Sequence, residues 1–198
     1  MDSKRIKIEV ADPTPLGLFG LAIVTLVASS QKLGITDGLA FVLPWALLLG
    51  GIAQFVASMF DFKHNNIFGA TAFAAYGLFW LGMGMSWLVK LGCFGDVLAS
   101  SVDARQLGFV FFGYFILSVV LTISTLKMSK AMFLLMSLIC LLFLSLGLDA
   151  FDCGHGWHSV AAYAEMAISL TTFYTMAAKY LSLYFDKQLL CVGKPFIQ

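Results

Sequence analysis

The chain has 198 residues, of which 60% are hydrophobic and only 12% charged, and its net charge is +1. A soluble domain carries about 25% charged residues, so this balance excludes a soluble globular protein, and there is no basic excess with which to hold nucleic acid. What remains is an integral membrane protein. At roughly 20 residues per helical span, residues 1–198 accommodate six transmembrane helices in a single domain.

Residues 1–12 are polar, carry Lys4, Arg5 and Lys7, and read as a tail rather than a cleavable signal peptide. The first span runs over Pro15–Ser30 and opens on Asp12-Pro13-Thr14-Pro15-Leu16-Gly17-Leu18. The residue before a proline disfavours the α region, so the approach is extended. Thr14 is then the expected N-cap, with Pro15 at the first helical position. That geometry leaves the N–H groups of Leu16 and Gly17 without intrahelical partners. Gly17 has no side chain to cover them, and bare donors at a helix N-terminus attract anions. An ordinary capped helix start is the competing reading. The span is short for a bilayer of about 30 Å, which places the Asp-Pro-Thr-Pro approach itself at membrane depth. Irregular backbone is tolerated there only inside protein or along a water-filled cavity.

The second span, Leu39–Phe60, contains Pro44, Gly50, Gly51 and the polar Gln54. After a break at residues 61–66, the third span covers Ile67–Val89 and is rich in small and aromatic residues. A loop over Lys90–Ala104 leads to the fourth span, Arg105–Leu126. The fifth, Ala131–Leu148, is mostly Leu, Met and Phe, and the sixth runs over Trp157–Tyr184 before a short tail, residues 185–198. Small residues at spacings of three or four, such as Gly17 and Gly20 or Gly50, Ala53 and Ala57, let helices approach closely in lipid.

Six spans put both termini on one side. That side carries Lys4, Arg5, Lys7, Lys63, Lys127, Lys130, Lys179, Lys187 and Lys194, against Lys32, Lys90 and Arg105 on the other. The positive-inside rule therefore predicts cytoplasmic termini in the cell (inner or plasma) membrane.

Enzyme signatures are absent, and no catalytic residue is assigned. Asp152, Cys153, His155 and His158 form the densest polar cluster. Two histidines three apart across a glycine are not a rigid metal site, and a polar outer loop explains them as well; no metal or cofactor is expected. Cys93 and Cys153 both lie in outer loops, where a disulfide is permitted but two free thiols are equally so. Intramembrane polar groups are costly and carry a functional expectation. They are Gln54, Thr71, Tyr76, Glu165 and Lys179. Gln54 can serve instead as an interhelical hydrogen bond, Glu165 faces a vestibule or an unidentified partner, and Lys179 snorkels to the cytoplasmic interface. A phenol ringed by apolar side chains at Tyr76 could form a gate, since hydrophobic constrictions block ions by dewetting.

Three stretches resemble one family. Asp12-Pro13-Thr14-Pro15-Leu16-Gly17-Leu18 is similar to the Asn-Pro-Ala-Pro-Leu-Gly-Leu signature of the acetate uptake transporter (succinate–acetate permease) family. Gly50-Gly51-Ile52-Ala53-Gln54 resembles its second block. Phe68-Gly69-Ala70-Thr71-Ala72-Phe73 with Tyr76-Gly77-Leu78-Phe79-Trp80 resembles its third, and Thr125-Leu126-Lys127 fits as well. The resemblance implies an all-α protomer of six transmembrane helices, assembled as a homo-hexamer, with an acetate path in each protomer. It also implies a constriction at Leu21, Tyr76 and Ile139, with Phe79 and Trp80 beside it. Leu21 stands where the family carries Phe, and Ile139 where it carries Leu. Asp12 replaces the family's Asn, and an ionised Asp repels the carboxylate that an Asn would donate to. Glu165 stands where the bacterial relatives carry a glycine.

The expected function is transport of acetate and related small carboxylates, as a channel or a proton-coupled carrier. The substrate would meet Asp12, Pro13, Pro15, Leu16, Gly17, Leu18, Gln54 and Thr71, and then the constriction. The expected partners are the carboxylate, protons, the lipid bilayer and further copies of the chain. A permease for succinate, formate, ammonium or water is the nearest alternative. A membrane sensor or scaffold that transports nothing is the alternative of a different class.

Overall fold

The computed structural model describes residues 10–197; the basic residues Lys4, Arg5 and Lys7 lie outside the described residues. Six long helices form: α1 (Thr14–Lys32), α2 (Val42–Lys63), α3 (Ile67–Lys90), α4 (Ala104–Ser124), α5 (Lys130–Ala150) and α6 (Trp157–Phe185). A short helix over Asp96–Ser100 interrupts the loop before α4, and a 3₁₀ turn, Thr125–Lys127, follows it. The stretches α1, α2, α3, Ala104–Lys127 and α5 are each long and apolar enough to cross a membrane. The chain is an all-α, multi-pass membrane protein. At 29 residues α6 is longer than any of them, but it carries Glu165 and Lys179 and is not among these five.

Helix boundaries follow local chemistry. Asn66 caps α3 by accepting the Gly69 N–H, and Ser129 caps α5 by accepting that of Met132, which satisfies donors a helix start leaves open. Asp186, in the left-handed region at φ 51°, ends α6. α2 is not uniform. Its middle, Ala46–Ala53, is π-helical, between α-helical turns at Val42–Trp45 and Gln54–Lys63. Wide turns of this kind are frequent at functional sites.

The helices stand in a ring. Each packs on its neighbours in the order α1–α2–α3–α4–α5–α6 and back to α1. The α3–α4 seam is the thinnest, and aromatic side chains fill it from inside. Tyr76 stacks on Phe143 at 6.0 Å, Phe79 meets Phe143 at 4.9 Å and Tyr114 at 5.0 Å, and the Tyr114 hydroxyl donates to the Ala75 carbonyl at 2.9 Å. On the other side of the ring, small residues bring backbones together. A Cβ on Gly20 would overlap the Leu49 carbonyl of α2, and one on Gly77 would sit 3.0 Å from the Gly51 carbonyl.

The described N-terminal stretch and the C-terminal stretch lie at one end of the bundle, here the tail end. Asp12 pairs with Lys179 at 2.9 Å, and His64 Nε2 lies 3.2 Å from the Ala11 carbonyl. The C-terminal residues do not hang free. They run back across the α4–α5 turn: Ala131 N–H donates to the Val192 carbonyl, Phe196 and Ile197 N–H to that of Leu126, and the Tyr174 hydroxyl to that of Cys191. Phe196 packs edge-on against Phe133 at 5.0 Å with the Lys130 ammonium over its ring at 5.5 Å.

Candidate functional site

The ring encloses a cavity of about 490 Å³ that opens at the tail end. α1 contributes Leu18 and Leu21, α2 Gln54, α3 the face from Phe68 to Tyr76, α5 the face from Met132 to Ile139, and α6 Thr175 and Lys179. The C-terminal strap, Gln188 to Pro195, supplies part of the wall at the mouth. A second void, of about 20 Å³, lies further in, among Thr25, Phe79, Trp80, Leu142, Phe143 and Ile168. It has room for about one water. Three residues are common to both walls: Leu21, Tyr76 and Ile139. All three are buried, and between them they form the septum that divides the larger space from the smaller.

The Tyr76 hydroxyl is held by α4, 2.8 Å from the buried Ser118 Oγ. Its hydrogen bond is therefore made within the bundle, and the ring rather than the hydroxyl is the part of Tyr76 that faces the septum's apolar partners. Gln54 lies on the wall of the larger cavity, immediately after the π segment. Its Nε2 donates to the Gly50 carbonyl of its own helix at 2.8 Å. Its Oε1 is buried and has no hydrogen-bond partner among the described residues. The sequence-level alternative of an interhelical hydrogen bond is not what this side chain makes.

The approach to α1 differs from expectation. The helix begins at Thr14 with Pro13 as its cap residue, and Thr14 is not the N-cap. The N–H groups of Leu16 and Gly17 are not bare: both donate to the Pro13 carbonyl, at 3.0 and 3.2 Å. Pro15 has no N–H to offer, and the Thr14 N–H donates to Asp12 Oδ1 at 2.9 Å. The first turn is thus already satisfied, and the anion at this helix N-terminus is Asp12 itself. Asp12 Oδ2 takes the Lys179 ammonium, so Lys179 is an ion-pair partner rather than a free snorkelling cation. Partial burial opposes ionisation of Asp12, but the hydrogen bonds from Thr14 and Lys179 outweigh it and hold the carboxyl below its usual range. The acid that looked misplaced at an anion path is neutralised by the adjacent helix α6.

Other expected residues scatter. Leu18 lines the larger cavity, whereas Leu16 is exposed on the outer surface. Gly17 is buried with Phe73 packed over it. Thr71, Pro13 and Pro15 are not part of either cavity wall. Phe79 and Trp80 line the inner void only. Glu165 finds its partner in Lys32, at 2.7 Å. Asp152, Cys153, His155 and His158 do not converge: His158 faces Asp149 at 3.3 Å, and among the described residues no group of three or more metal-ligating side chains comes together. Cys93 and Cys153 are free thiols.

Two features escaped the sequence reading. The strap was expected only as a short tail. Its signal was weak: Leu189, Leu190, Val192, Phe196 and Ile197 are apolar, but Leu189, Phe196 and Ile197 stay exposed in the seated strap, and singly exposed apolar residues are ordinary. Asp61 was read as part of a break, yet it is buried.

A ring of apolar helices around two stacked cavities and a thin septum defines a multi-pass membrane protein with an internal path. The chain matches the model of the GPR1/FUN34/yaaH family over residues 3–187 and belongs to that family, as the three motif stretches implied. It is 36% identical over 152 residues to the "Glyoxylate pathway regulator" of Yarrowia lipolytica, covering 73% of this chain and 54% of that protein. It thus spans about half the length of that fungal relative. It is 27% identical over 188 residues to the "Succinate-acetate/proton symporter SatP" of Escherichia coli K12, covering 94% of this chain and 97% of the other. The solved "Structure of the bacterial acetate channel SatP" shares the fold, with a TM-score of 0.86 at 24% identity over 93% of this chain and 100% of that one.

Proposed function

We propose that the chain is a permease for acetate and related small carboxylates, with the path running through the centre of each ring. The observation that carries this reading is the septum: Leu21, Tyr76 and Ile139 alone are common to the walls of both cavities. An apolar barrier of that kind discriminates by charge. An isolated carboxylate in a medium of ε about 4 costs on the order of tens of kcal/mol by Born arithmetic, whereas a neutral acid costs far less. The protonated acid is therefore the crossing species, which makes a proton-coupled cycle the natural form of the activity. Gln54 Oε1 fits this: an unpaired acceptor binds a carboxylic acid O–H and not a carboxylate. The same acceptor would bind an ammonium N–H, and since the septum passes only neutral species the second reading is ammonium crossing as ammonia.

The larger cavity is then the cytoplasmic vestibule. In this topology all six helices span the cell membrane, with both ends inside, where Lys63, Lys127, Lys130, Lys179, Lys187 and Lys194 cluster. The relative named an acetate channel and the one named a succinate-acetate/proton symporter support the substrate class. We read the assembled form as a homo-hexamer, each protomer keeping its own path, on the family resemblance. Labelled acetate flux into proteoliposomes, with a pH step and a voltage clamp, tests the proposal. Saturable flux above empty liposomes is expected, with methylammonium flux absent. No flux above the empty control overturns the permease reading, and methylammonium flux without acetate flux replaces it with the ammonium reading.

A further inference from the structure

Asp61 lies in the last turn of α2, at the tail end of the ring, and is only 1% exposed. One carboxyl oxygen, Oδ1, accepts from the Asn66 side-chain amide at 2.9 Å. The other, Oδ2, is buried without a hydrogen-bond partner among the described residues. The carboxyl is seated against the start of α3 so closely that a Cβ on Gly69 would overlap Oδ2. Asn66 is bound on both sides: its amide donates to Asp61, and its carbonyl oxygen accepts from Gly69 N–H. Asn66 and Gly69 line the larger cavity, so the carboxyl stands one residue behind the vestibule wall.

Among the described residues, the charged and titratable groups that face Asp61 are few. Asp12 approaches from the start of α1, His64 from the α2–α3 turn, and Lys179 from α6. Asp12 is a like charge. Lys179 is already bonded to Asp12 at 2.9 Å, and His64 is exposed and turned toward the Ala11 carbonyl. The group therefore has two carboxyls for one committed ammonium. An ionised Asp61 carries a buried charge with half of its hydrogen-bonding capacity unused, which is costly. One proton removes that cost. A carboxyl arranged in this way, beside a space through which an acid travels, is poised to exchange a proton with it.

We propose that Asp61 is the proton-accepting carboxyl of the transport cycle. The inference rests on the permease reading above. A neutral acid that has passed the septum enters the vestibule still carrying its proton. The acid's O–H bond breaks, one water bridges the wall at Asn66, and the Asp61 carboxylate takes the proton through it, so that R–COOH and Asp61–COO⁻ become R–COO⁻ and Asp61–COOH. The carboxylate leaves past Lys179 and Lys194, both on the vestibule wall. Asp61 then returns its proton to cytoplasmic water and is reset. Charge and protons balance at each step, and one proton moves with each carboxylate.

The test is the rate of acetate uptake and its pH profile in proteoliposomes. Luminal pH dye and labelled acetate are read together under an imposed acetate gradient, with empty liposomes subtracted. Asp61→Asn keeps the shape of the side chain, and Asp61→Ser avoids placing an amide against Gly69. Both variants are expected to keep one proton per acetate, because the acid crosses the septum neutral, but to slow uptake several-fold and to flatten its pH profile. A parental rate and pH profile in either variant overturns the proposal. Slower uptake with the parental pH profile in both also overturns it, and assigns Asp61 to the α2–α3 joint alone. If the parent protein carries no acetate, it is the permease reading that fails, which the wild-type arm shows on its own.

Discussion

Lys32 and Glu165 close a 2.7 Å ion pair between the end of α1 and the third turn of α6, 16% and 1% exposed. Removing one partner of such a pair strands a buried charge, at about 3–5 kcal/mol, whereas replacing both with apolar residues is often near neutral. Lys32→Met alone is therefore expected to lower the melting temperature in detergent sharply, and adding Glu165→Met is expected to recover most of the loss. A single variant as stable as the parent would show that the pair is idle. Asp12 makes the opposite kind of pair, partly exposed and at the mouth. Its carboxyl is held below the usual range, so its clasp on Lys179 contributes stability above the unfolded-state pKa and loses it as pH falls through the lowered native value. The stability difference between the parent and Asp12→Asn should be at most about 1 kcal/mol. It should be constant from neutral pH down to about pH 5 and close in stronger acid. A difference that persists in acid would assign the effect to the helix cap instead. These residues were legible only by halves. Glu165 stood out as an acid in an apolar span, but its partner lies 133 positions away, and Lys32 falls beyond the expected end of the first span at Ser30. Asp61 looked like punctuation because its burial comes from α3 packing over it, which no local pattern announces.

The elements themselves were easier to read than their internal geometry. Runs of apolar residues placed every long helix, with ends off by a few residues: α2 begins at Val42 rather than Leu39 and continues to Lys63. The π segment was invisible, since Ala46–Ala53 is apolar on all sides and a 3.6-residue stripe never appears against which to see a phase change. The two sides of the ring respond differently to an added methyl. At Gly20 the obstacle is the Leu49 backbone carbonyl, which cannot move without moving α2. Gly113 on α4 has nothing within 4 Å of a built Cβ. Gly20→Ala is expected to destabilise the protein by about 1–3 kcal/mol as an overpacking change. Gly113→Ala should be neutral or stabilise it by about 0.5–1 kcal/mol through helix propensity. Thermal melts of the two variants side by side would separate close helix contact from propensity; equal shifts would contradict the contact at Gly20.

For the whole molecule, composition was enough to make it a membrane protein, and alternating charge was enough to set the described termini at one end. Ring order and the septum needed coordinates, because apolar faces that meet another helix and faces that meet lipid have the same composition. The resemblance already joined Leu21, Tyr76 and Ile139 as one constriction by counting from motifs; their place between two cavities is a property of the closed ring. Tyr76→Ala would merge the two cavities, and uptake of succinate relative to acetate should rise several-fold while the protein stays folded, as competition uptake in proteoliposomes would show. An unchanged ratio in a well-folded variant would remove Tyr76 from the selectivity barrier. The π segment of α2 has a consequence of another kind. An α-helix turns about 100° per residue, so one residue of surplus backbone in a wide turn rotates everything after it by about that angle. Gln54 and Asp61 both follow the wide turn. Deleting a single residue from Ala46–Ala53 would leave the span nearly as long and as oily as before, and the bilayer would accept it. The azimuth of α2's lower half would change, however, and both polar groups would swing away from the axis of the path. The bilayer constrains the length of this helix, whereas the path depends on its angle, and the wide turn lets one segment satisfy both.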